Sequence, residues 1–96
     1  MHDMTGFQRD LLYVIAGLEE PHGLAIKSEL EGYYEKAVNH GRLYPNLDTL
    51  VDKGLVKKGE KDRRTNIYTV TERGNRELQA RDDWENQYLN EDPLTA

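Results

Sequence analysis

Cysteine is absent from the 96 residues, which removes disulfides, thiolate metal sites and a cysteine nucleophile at one stroke. The three histidines, His2, His22 and His40, stand far apart, so the sequence offers no imidazole cluster for a metal. Long hydrophobic runs are missing too. The longest uncharged apolar stretch, Leu11 to Leu18, is far too short to span a bilayer, and Met1-His2-Asp3-Met4 lacks the basic start of a signal peptide. The expectation is a cytoplasmic protein with no membrane attachment, no metal and no cofactor. Its length suits one compact unit and leaves no room for a separate catalytic or sensor domain.

Positive charge is in short supply: 13 Lys and Arg face 18 Asp and Glu, for a net charge of -5. Phosphate neutralisation needs Lys and Arg, so the total argues against a nucleic-acid partner. The distribution argues the other way. Residues 1–41 carry net charge -4, residues 42–66 carry +3 and residues 67–96 carry -4. The cations are concentrated in one block.

Hydrophobic periodicity places the elements. Thr5 followed three residues later by Gln8 fits a capping box, and Phe7, Leu11, Ile15 and Leu18 recur at helical spacing, which predicts helix one over residues 5–18. Pro21 and Gly23 interrupt the pattern before Ile26, Leu30, Tyr33, Tyr34 and Ala37 resume it, giving helix two over residues 24–38. After Asn39-His40-Gly41, the residues Leu43, Leu47, Leu50 and Val51 form the inner face of a short helix three, which Gly54 ends in a left-handed cap. Pro45 leaves two starts open for it: near Gly41 or Arg42, or at Asn39 with a bend. Residues 55–58 and 67–70 read as two strands, with the polar stretch 59–66 as a mobile, charged hairpin tip. Thr71 caps a last helix from Glu72, which Pro93 ends.

Helix, helix, helix, hairpin, helix is the order of a winged helix-turn-helix: a mainly α fold with a two-stranded β-hairpin. Residues 1–71 form the winged unit, and residues 72–96 a C-terminal dimerisation helix and tail within the same body. Helix three would then enter a DNA major groove while the hairpin reaches a neighbouring groove or the backbone.

With the leucines of helix three facing inward, Arg42, Asn46, Thr49 and Lys53 share a polar stripe. Arg suits guanine, Asn suits adenine and Thr can touch a thymine methyl, so Arg42, Asn46 and Thr49 are the expected base readers. Lys53, Lys57, Lys58, Lys61, Arg63 and Arg64 are the expected phosphate contacts, with Tyr44 able to donate its hydroxyl or simply to pack, and His40 a further phosphate candidate. Any of these could instead be an ordinary solvated face; their coincidence on one helix and the next hairpin favours DNA. On the last helix, Ala80, Trp84 and Tyr88 recur at i, i+4 and i+8 as a dimer surface, the alternative being burial in the chain's own core. Glu29, Glu31 and Glu35 beside Tyr33 and Tyr34 could suggest carboxylate catalysis. No nucleophile, basic partner or metal ligand accompanies them, so an enzyme is not expected.

Three segments then carry a family resemblance: Gly23-Leu24-Ala25-Ile26; Gly41-Arg42-Leu43-Tyr44-Pro45-Asn46-Leu47-Asp48-Thr49-Leu50 with Lys53-Gly54-Leu55-Val56; and Tyr68-Thr69-Val70-Thr71-Glu72-Arg73-Gly74. Over about residues 7–90 the chain resembles the PadR-like winged-helix regulators, and its acidic ends make it similar to members from salt-loving archaea. The resemblance implies a homodimeric transcription factor, often a repressor, whose C-terminal helix crosses to the partner subunit. It also implies that Tyr44 and the matched helix-three residues face double-stranded DNA. Two dimer-related helices would read a near-palindromic operator. The hairpin loop is short and a single helix replaces the longer C-terminal domain of some relatives, so a small-molecule effector is not implied. The rival readings are a winged-helix protein-interaction module without DNA binding, and a ligand sensor with Trp84, Tyr33 and Tyr34 around a dimer-interface pocket.

Overall fold

A computed structural model describes residues 3–89. Thr5 opens the first helix, α1 (Gly6–Gly17), through a reciprocal capping box. Its hydroxyl accepts from the Gln8 amide at 3.1 Å, while the Gln8 side chain accepts from the Thr5 amide at 3.3 Å. Phe7, Leu11, Leu12 and Ile15 of α1 are buried together with Ile26 and Leu30 of α2 (Gly23–Tyr34).

The second helix stops at Tyr34, short of the expected Val38. Glu35 adopts a left-handed conformation at φ 58°, which ends the ladder. The Glu31 carboxylate then accepts the Val38 amide at 2.7 Å, so a side chain replaces the missing helical acceptor, and Val38 still reaches the core. Asn39 caps α3 (His40–Asp52) through a bond from the Gly41 amide. The helix thus begins at His40, between the two expected starts, with Asn39 outside it as the cap. Pro45 lies inside the helix and leaves the Gly41 carbonyl without its usual amide donor.

Leu43, Leu47 and Leu50 of α3 are fully buried, each contributing roughly 1.5–3 kcal/mol relative to exposure. They fix which face of α3 turns outward. Gly54, at φ 76°, closes the helix in the expected way: its amide bonds the Val51 carbonyl, and the Leu55 amide bonds the Leu50 carbonyl at 3.1 Å.

The hairpin departs from expectation in length. β1 (Val56–Asp62) pairs antiparallel with β2 (Thr65–Val70) in a register that sets Val56 against Val70 and Lys58 against Tyr68. Most of the stretch expected as a loop is thus paired strand. A ribbon exposed on both faces needs no apolar alternation, so polar composition alone did not reveal it. A register shift between Glu60 and Asp62 precedes the tight turn at Arg63 and Arg64, where the Asp62 carboxylate accepts the Arg64 amide at 2.9 Å.

The Tyr68 amide donates to the Pro21 carbonyl at 2.9 Å and so ties the ribbon to the start of α2, while the Thr71 amide donates to the Leu55 carbonyl at 3.0 Å and closes the base of the ribbon. Thr71 also caps α4 (Glu72–Asn86), as expected, by accepting from the Gly74 amide. Leu78 anchors α4 in the core. The helix ends at Asn86, before the expected stop at Pro93, as the chain turns at residues 87–89; Pro93 itself lies outside the described residues, as do His2 and the end of the tail. Among the described residues, no helix is long and apolar enough to cross a membrane and no acidic, histidine or cysteine cluster has the makings of a metal site.

Candidate nucleic-acid interface

Burial of the three α3 leucines divides the rest of that helix into an outermost strip and two flanks. Arg42, Asn46 and Lys53 lie on the flank beside α1 and the residues leading into it. The Arg42 guanidinium sits 4.0 Å above the Phe7 ring, a cation–π contact that holds the exposed arginine in place. Asn46 is engaged at both ends of its amide: its oxygen accepts from Gln8 Nε2 at 2.9 Å, and its nitrogen donates to the Arg42 carbonyl at 2.7 Å. Each bond uses one of the two acceptor sites or one of the two N–H donors, so the other oxygen lone pair and the other N–H remain for a bidentate partner such as adenine. Thr49 donates its hydroxyl to the Pro45 carbonyl at 3.0 Å. Lys53 reaches Asp3 at 3.3 Å, and this bond holds the Asp3 carboxyl below the usual carboxylate range.

The outermost strip of α3 contains residues that sequence reasoning did not single out: Gly41, Pro45, Asp48 and Asp52 are all exposed. Asp48 faces the wing, where its carboxylate lies 3.9 Å from Lys58 Nζ. Gln8 was missed as well, because its place in the capping box accounted for it and nothing local signals a partner 38 positions away. On the opposite flank, half-buried Tyr44 packs its ring 5.7 Å from that of His40.

Lys57, Lys61, Arg63 and Arg64 are exposed along the ribbon and its turn, and make no ion pair among the described residues. The Asp48–Lys58 contact sets α3 and the ribbon side by side, one carrying fixed side chains and the other free cations. Ala80 and Trp84 on α4, with Tyr88 two residues beyond its end, form a separate group. All three are exposed, so the alternative of burial in the chain's own core does not hold; the Trp84 and Tyr88 rings lie 5.1 Å apart, with Arg81 4.7 Å from the Trp84 ring.

This geometry is that of a winged helix-turn-helix, and comparison with known proteins gives it a family. Residues 11–80 match the transcriptional regulator PadR-like family, so the chain belongs to that family of transcription regulators and is not an enzyme. The structure is similar to that of the hsRosR-S1 complex, at 50% identity and a TM-score of 0.89, covering 95% of this chain and 80% of that one. It is also similar to RosR of H. salinarum grown from NaBr, at 51% identity and a TM-score of 0.87, covering 94% and 81%. The hsRosR-S4 complex gives 51% and 0.88, covering 94% and 77%. The likeness to haloarchaeal members of the family, suggested by the acidic ends, is thereby borne out. Among curated proteins none matches significantly.

Proposed function

We propose that this PadR-like regulator acts in the cytoplasm as a homodimeric, sequence-specific repressor that binds a near-palindromic operator in double-stranded DNA. The observation that carries the reading is the adjacency of α3 and the ribbon, which together hold the one block of net positive charge in an acidic chain. Arg42, Asn46 and Thr49 read base edges from α3. Lys53, Lys57, Lys58, Lys61, Arg63, Arg64 and Tyr44 hold the backbone, a division that follows from the chemistry of the two targets.

Dimerisation runs through Ala80 and Trp84 of α4 and Tyr88 just past its end; Trp84 and Tyr88, 49% and 67% exposed, form an aromatic ridge that a second copy would cover. Pairing two chains doubles the contacts and sets the half-site spacing near one DNA turn.

The test is binding to genomic fragments, including the gene's own promoter, across a salt series, with sedimentation of the same samples. Selective binding by a dimer, which Trp84→Ala/Tyr88→Ala converts to a weakly bound monomer, is the expected result. Absence of selective binding at every salt concentration would overturn the DNA reading and favour a protein-interaction module.

A further inference from the structure

The start of α2, the Tyr44 flank of α3 and the wing enclose a cavity of about 260 Å³. Two tyrosines meet there. Tyr68 on β2 is 2% exposed, and its hydroxyl has no hydrogen-bond partner among the described residues. No sealed side-chain polar atom lacks a partner there, so this hydroxyl opens onto the cavity instead of being shut in the core. The groups that act on it electrostatically are the Asp48 carboxylate and Tyr44, which line the same space.

Tyr44 brings the second hydroxyl. It lies so close to Gly23 that a Cβ at that position would collide with it, so glycine there lets the hydroxyl take this place. Gly23 and Leu24 belong to the first turn of α2, whose cap residue His22 supplies no side-chain bond, so the positive end of the helix faces this region uncapped. Lys58 and Arg64 stand at the wall with Asp48. Two cations against one carboxylate leave one net positive charge, which matches a monoanion better than a dianion.

We propose that this cavity seats a single phosphodiester of the DNA backbone, with the Tyr44 and Tyr68 hydroxyls donating to its oxygens and Lys58 and Arg64 neutralising it. The inference rests on the DNA-binding reading and adds to it a fixed point between recognition helix and wing. Asp48 competes with the phosphate for Lys58, so the seat fills when the duplex is already held nearby and does not retain a free anion. A phosphate locked there sets the angle at which α3 enters the groove.

The test uses the full chain and a duplex that the wild type selects, with each backbone phosphate replaced in turn by a neutral methylphosphonate. Tyr68→Phe removes the hydroxyl and keeps the buried ring; thermal melting checks its fold. At one position per half-site the neutral linkage is expected to weaken wild-type binding about tenfold and to weaken Tyr68→Phe by a clearly smaller factor, because that variant has already lost one of the two hydroxyl bonds while Lys58 and Arg64 still sense the charge. Gly23→Ala, which displaces the Tyr44 hydroxyl, should lose sensitivity at the same position. Binding by Tyr68→Phe equal to wild type, with the same sensitivity profile, overturns the seat while leaving the DNA reading intact. So does a flat profile in which millimolar inorganic phosphate shifts the Tyr68 ring resonances, since the site would then belong to free phosphate. A wild type that selects no duplex at all defeats the underlying reading itself.

Discussion

The α1-facing flank of α3 and the tip of the wing carry similar side chains held in opposite ways. On α3, Arg42 rests on Phe7, Asn46 is fixed between Gln8 and a helix carbonyl, and Lys53 pairs with Asp3. On the wing, Lys61 and Arg63 extend into solvent with no ion pair among the described residues. The first arrangement costs little additional side-chain entropy on binding and suits a surface that must distinguish bases. The second leaves cations able to follow a phosphate chain, a task that demands charge more than position.

The largest effect should come from removing the fixed side. Arg42→Ala/Asn46→Ala is expected to cost about 1–3 kcal/mol for each base no longer read at the selected site, with weak binding to unrelated DNA preserved; competition between selected and unrelated duplexes measures it. Removing the free side should do the converse. Lys61→Ala/Arg63→Ala is expected to flatten the slope of log affinity against log salt by about 0.9 for each phosphate no longer neutralised, while the ratio of selected to unrelated binding holds.

A smaller effect sharpens the comparison. Gln8→Ala leaves α3 untouched but frees the Asn46 amide, and should reduce selectivity by about 0.5–1.5 kcal/mol in the same competition assay. The recovery of selectivity in Gln8→Glu, whose carboxylate cannot donate to the Asn46 oxygen, would contradict the positioning role.

The smallest effect concerns the turn between α2 and α3. Glu31 is held below its usual value of 4.5, first by the bond from Lys27 and then by the Val38 amide. A carboxylate with a lowered folded-state value contributes stability above 4.5 and loses it as pH falls through the lower folded value. Urea melts should therefore show wild type losing its advantage over Glu31→Gln below pH 4.5, and no such convergence between about pH 5 and 7.

Much of this arrangement was legible in the sequence because its causes are local. Thr5 and Gln8 announce a capping box, Leu43, Leu47 and Leu50 declare their shared face, and Gly54 and Thr71 mark two helix ends through the backbone geometry each allows. The stripe Arg42, Asn46, Thr49, Lys53 was legible as a set, but its engagement was not. Phe7 and Gln8 meet it only because α1 packs across α3, a tertiary fact with no sequence periodicity behind it. The length of the ribbon escaped for another reason: strand pairing there satisfies backbone groups and leaves the side chains polar. Tyr68 and Tyr44, 24 positions apart, become neighbours in a cavity through the return of β2 alongside the start of α2.

The division of labour between α3 and the wing is tested most directly by one titration. Wild type, the Arg42→Ala/Asn46→Ala variant and the Lys61→Ala/Arg63→Ala variant are each bound to a selected and an unrelated duplex over a common salt series. The expected result is that the α3 variant loses the selected-to-unrelated ratio with its salt slope intact, and that the wing variant loses slope with its ratio intact. Equal losses of ratio and slope in both variants would contradict that division.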